Sequence, residues 1–123
     1  MEALKNLDVL KRACRLSVSL YKATTNCKDL GFKDQLTRAG LSVASNIAEG
    51  YERDSIRARL QYLNIAKGSC GEVWTRLMIA RSAGFMEPKA CKELEFETVA
   101  ISNMLWGLIR HYKNKDQTLA TRP

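Results

Sequence analysis

The chain has 123 residues, of which 46% are hydrophobic and 27% charged, with only 2 prolines. This composition excludes a disordered or collagen-like polymer and suits a single helical domain over 1–123. No run of about eighteen apolar residues occurs, and the opening Met1-Glu2-Ala3-Leu4-Lys5-Asn6 lacks a signal-peptide stretch, so a cytoplasmic protein that does not use a membrane is expected.

Apolar residues recur at steps of three and four in four segments, with no sustained period-two strand pattern. The first predicted helix covers about 7–25, its inner seam being Leu7, Leu10, Cys14, Ser17 and Tyr21. Asp29-Leu30-Gly31 reads as a turn. The second helix covers about 32–52 and turns Phe32, Leu36, Ala39, Val43 and Ile47 inward. Asp54-Ser55 supplies cap residues for a third, over about 56–82, with a seam of Ile56, Leu60, Leu63, Cys70, Trp74 and Leu77 and with Gly84 as its C-cap. Pro88 fits the first turn of a fourth helix, about 88–112, built on Leu94, Thr98, Ile101, Leu105, Leu108 and Tyr112. The polar residues 113–123 read as a frayed tail. Four helices joined by short loops point to an all-α fold, an antiparallel up-down four-helix bundle.

The third helix is apolar on a second side, where Ile65 and Ile79 recur around Glu72 and where Tyr62, Val73 and Ala80 widen the surface. A helix with two apolar sides needs two partners, so a homo-oligomer is expected.

The 20 Lys and Arg against 13 Asp and Glu give a net charge of +7, which favours polyanionic partners through the field alone. The four cysteines Cys14, Cys27, Cys70 and Cys91 are far apart and none lies beside the only histidine, His111. That spacing argues against a metal site, and the thiols are expected to pack as small hydrophobes. No nucleophile and base grouping, strand-preceded phosphate loop or Glu-x-x-His pair is present, so neither catalysis nor a cofactor is expected.

The most informative segment runs from Gln35 to Arg53. At about 100° per residue, Gln35, Arg38, Ser42, Ser45, Asn46, Glu49 and Arg53 fall within about a quarter-turn of one another. Short Ser and Asn side chains replace the usual Lys and Glu of a solvated face, and Gly50 interrupts the helix at a cost of about 1 kcal/mol relative to Ala. The third helix carries a matching passage, Lys67-Gly68-Ser69-Cys70-Gly71-Glu72. Glu72, if buried, needs a cationic partner, for which Arg38 and Arg53 are the candidates.

The stretch 36–50, ending in Asn46-Ile47-Ala48-Glu49-Gly50, followed by Arg53 and by Ile65-Ala66-Lys67-Gly68-Ser69-Cys70-Gly71-Glu72, resembles the four-helix-bundle proteins encoded by intervening sequences in bacterial 23S ribosomal RNA genes. The similarity runs from Leu7 to Tyr112, with Gly40 standing where alanine is usual and Trp74 in place of a smaller residue. The resemblance implies a ring-like homopentamer and no established activity. A more distant similarity, in fold, basic charge and five-fold assembly, is to the RNA-binding accessory proteins of diversity-generating retroelements, an analogy that does not fix function.

The function expected from these features is binding of RNA by a non-enzymatic basic oligomer through phosphate contacts, with Arg12, Arg15, Arg57, Arg59, Lys113 and Lys115 as candidate contacts. The core is expected to claim most aromatic rings, leaving little base stacking. Arg38, Asn46, Glu49, Gly50, Arg53, Gly68, Ser69 and Glu72 are expected to form a packed structural or assembly network. The alternative is a scaffold or adaptor with a protein partner.

Overall fold

The computed structural model describes residues 1–120. Among them are five helices and no strand, in the order α1 (Glu2–Lys5), α2 (Asp8–Ala23), α3 (Leu30–Glu52), α4 (Ile56–Ala83) and α5 (Pro88–Ala120). The four long helices form a bundle in which α2 and α4 each lie against both α3 and α5.

The helix starts are set by side-chain caps. The Asp29 carboxylate accepts a hydrogen bond from the Phe32 N–H at 3.0 Å, so α3 begins at Leu30 and the expected turn becomes its first turn. Ser55 accepts from the Ala58 N–H at 3.1 Å to open α4, and Gly84, at φ 75°, closes it in the left-handed region. At the head of α5, Glu87 accepts from the N–H groups of Lys89 (2.9 Å) and Ala90 (2.8 Å). These bonds hold its carboxyl below the ordinary carboxylate range. A depressed folded-state pKa adds stability at neutral pH that is lost as pH falls through that lowered value. Glu87→Gln therefore lowers the melting temperature at pH 7, and in melts followed by circular dichroism the gap from the parent closes on acidification.

The last helix differs from expectation. Residues 113–120 continue α5 where a frayed tail was expected, helped by an ion pair from Arg57 on α4 to Asp116 at 3.4 Å. The remainder of that tail, 121–123, lies outside the described residues.

The core is aliphatic. Leu16 and Leu20 of α2, Leu36, Val43 and Ile47 of α3, Leu63 and Leu77 of α4, and Ile101, Leu105 and Ile109 of α5 are all buried. On α3 the buried stripe is the expected one, and on α5 it is so through Thr98, Ile101 and Leu105, after which Ile109 is buried in place of the half-buried Leu108. On α2 it is rotated: Val9, Ala13, Leu16 and Leu20 are buried while Cys14 and Tyr21 face solvent. Two stripes of similar period run along α2; the inward one places Leu16 and Leu20 where the other offers only Cys14, Ser17 and Tyr21, while Leu7 and Leu10 stay half-buried beside the core. Cys14 is thus exposed, whereas Cys27, Cys70 and Cys91 pack as expected, and burial pushes the Cys70 thiol up to about 12.

Two further differences concern α4. Val73 and Ala80 belong to the main core, so the second apolar side narrows to the exposed Ile65 and Ile79. Trp74 leaves the seam altogether and is 41% exposed. At Gly40 α3 lies close against α2: a Cβ there would lie 2.5 Å from Leu20 Cδ1 and 3.8 Å from the Ser17 backbone.

Candidate functional site

The polar stripe of α3 is divided between local pairs and a link to α4. Arg38 is exposed and pairs with Asp34 one turn earlier at 2.8 Å. In mid-helix, the Ser42 and Ser69 hydroxyls meet at 2.7 Å across α3 and α4. Asn46 donates to the Ser42 carbonyl at 2.8 Å and to its hydroxyl at 3.0 Å. Further along, Arg53 pairs with Glu49 at 2.7 Å and also reaches the Tyr62 hydroxyl at 3.3 Å. Gly50 permits the close approach there, since a Cβ would lie 3.2 Å from Tyr62 Cβ and 3.3 Å from the Arg59 carbonyl oxygen.

Gly50, Arg53 and Ser69 thus join α3 to α4, with Asn46 holding Ser42 and Glu49 holding Arg53 from within α3, and three expected members do not take part. Arg38 stands apart, Gly68 is exposed with nothing within 4 Å of an added Cβ, and Glu72 pairs with Arg76 on its own helix at 2.8 Å. Neither Arg38 nor Arg53 is the partner of Glu72. Its carboxylate is largely exposed, so the burial that would have demanded a distant cation does not arise.

The basic candidates also separate. Arg12 donates to both Glu97 carboxylate oxygens at 2.9 Å and joins α2 to α5, a bond that raises its pKa further. Arg81 makes a similar forked pair with Glu95 between α4 and α5, at 3.2 and 3.1 Å. Arg59 lies over the rings of Tyr51 (4.5 Å) and Tyr112 (5.1 Å) and donates to the Gly50 carbonyl at 3.3 Å. Arg12 and Arg59 are therefore built into the fold. Arg57 is held loosely by Asp116. Arg15, Lys113 and Lys115 are exposed and make no ion pair among the described residues.

The feature that sequence reasoning missed lies between α4 and α5. Trp106 is 46% exposed, and the ammonium groups of Lys67 and Lys113 stand 5.9 and 5.8 Å from its ring centroid. One turn back along α5, Ser102 and Asn103 line a shallow groove with Gly71 and Trp74. The signal was available: at about 100° per residue, Asn103, Trp106, Arg110 and Lys113 share one outward face of α5. Among the described residues no three His, Cys, Asp or Glu side chains converge as a metal site, and no helix is long and apolar enough to cross a membrane. His111 stacks edge-on against Tyr112, with ring centroids 5.0 Å apart.

The family model described as 23S rRNA-intervening sequence protein matches residues 5–107. The chain belongs to this family. The fold is also similar to a crystal structure from Bacteroides thetaiotaomicron of a protein of unknown function from the S23 ribosomal protein family. The two share 22% identity over 82% of this chain and 97% of that one, with a TM-score of 0.77. Among curated proteins none matches. In this intervening-sequence protein, the segment Asn46 to Gly50 with Arg53 works as the α3–α4 joint described above.

Proposed function

We propose that the chain is a non-enzymatic, basic, cytoplasmic protein that binds RNA through phosphate contacts, as a ring-like homopentamer of antiparallel up-down four-helix bundles. The observation that carries this reading is the placement of free cations. Lys67, Arg110 and Lys113 lie along the α4–α5 surface without an ion-pairing carboxylate among the described residues, while Arg12, Arg59 and Arg81 are tied into the bundle. Charge left unpaired along one surface suits a polyanion. The exposed Ile65 and Ile79 of α4 and Leu41 of α3 support self-association through a different side of α4.

The test is fluorescence anisotropy of a labelled RNA against salt. Three phosphate contacts on a single strand give a slope of about −2.1 in log affinity against log salt, so raising salt from about 50 to 200 mM weakens binding about twentyfold. An affinity indifferent to salt, or no binding at micromolar protein, would sink the RNA reading. Light scattering on the same sample decides the assembly, which should contain five 13.9 kDa chains.

A further inference from the structure

We propose that Trp106, flanked by Lys67 and Lys113, is a platform on which the protein stacks an unpaired base of single-stranded RNA while the two lysines engage the neighbouring phosphates. The inference rests on the RNA reading above and adds to it a site and a strand preference. Phosphate contacts alone accept duplex and single strand alike, whereas an indole face can take only a base that is free of its own helix.

Four observations converge on this surface. A large aromatic ring stands 46% exposed on a helix whose inner seam is already filled by Ile101, Leu105 and Ile109, so packing within the chain does not account for it. Its two cations come from different helices and lie about as far from the ring as an appreciable cation–π attraction extends, about 6 Å. Each ammonium can therefore leave the ring for a phosphate at small cost. Arg110 adds a third positive charge one turn further along α5, also without an ion pair among the described residues. On the other side, Trp74 offers a second exposed ring in the groove that contains Ser102 and Asn103, whose polar groups can reach a base edge.

A second copy of the chain fits this surface less well. Covering Trp106 with protein would bury Lys67 and Lys113, which have no carboxylate beside them here, and lysine is depleted from interface cores because its charge is costly to dehydrate. The exposed Ile79 of α4 lies elsewhere: with Glu72 it lines a groove against Phe32 and Gln35 of α3, in which no α5 residue takes part.

The experiment uses the whole chain with Trp74→Phe, which leaves Trp106 as the reporter among the 2 tryptophans. A twelve-nucleotide oligouridylate should quench its emission. Trp106→Ala should weaken binding of that oligomer about fivefold to 150-fold, the usual range for one lost stacked base. Trp106→Tyr should retain most of the affinity, and binding of a duplex RNA of equal length should be unchanged by either substitution. If Trp106→Ala binds the single strand as tightly as the parent, the platform is wrong while phosphate binding stands. If the parent binds no RNA, the underlying reading fails and takes this one with it. A smaller particle for Trp106→Ala in light scattering would instead make the surface a contact between copies and overturn the proposal.

Discussion

Arg59→Ala is expected to lower the stability of the fold by about 2–4 kcal/mol, while leaving RNA affinity within about twofold. The guanidinium lies over two tyrosine rings that are themselves joined, Tyr112 donating to the Tyr51 hydroxyl at 3.2 Å with ring centroids 6.1 Å apart. Each cation–π contact contributes about 0.5–2 kcal/mol depending on how dry it is, and the charged hydrogen bond to the Gly50 carbonyl contributes about 1.5–3 kcal/mol. These contributions share one side chain and do not simply add, hence the lower total. Denaturant melts followed by circular dichroism measure the first half of this prediction and anisotropy the second. A stable variant that loses RNA would return Arg59 to the binding surface, where its sequence position had suggested it belonged.

Gly40→Val should be nearly as costly, at about 1–3 kcal/mol, because its side chain enters space already filled by Leu20. Leu20→Ala alone leaves a cavity and costs about 2–5 kcal/mol, since Leu20 is fully buried. Combined, the two changes exchange volume across the α2–α3 contact, so the double variant should lose clearly less than the sum of the single losses. Strict additivity in the double-mutant cycle would mean that Gly40 is not where α2 limits the approach of α3.

The helices were largely legible because their apolar spacing and their caps agree. Ser55 and Gly84 act where expected, and the α3 seam and the α5 seam through Leu105 are buried as read. What failed was the choice between competing stripes. On α2, the stripe through Cys14 and the stripe through Leu16 have similar periods, and only the neighbouring helices decide which faces inward. Trp74 misled for a related reason, since a bulky apolar residue in register with a seam was assigned to the core although Val73 fills that place. The polar network was legible in its middle, at Asn46, Gly50 and Ser69, where short side chains and glycine signal close approach. Its ends were not, because Arg38 and Glu72 found partners one turn away on their own helices, and spacing alone cannot distinguish a local pair from a distant one.

The continuation of α5 through residues 113–120 places Arg110, Lys113 and Lys115 near the carboxyl end of a 33-residue helix, while Glu93, Glu95 and Glu97 sit toward its start. The helix macrodipole acts within the terminal turns only, and among the described residues no acidic side chain stands in the first turn of α5 and no basic one in its last. The three positive charges therefore do not serve the end of their own helix, and their field points outward. With acidic charge gathered early and basic charge late, the helix is a rod of opposite signs along its length, which draws an approaching polyanion to the later part and turns it away from the earlier one.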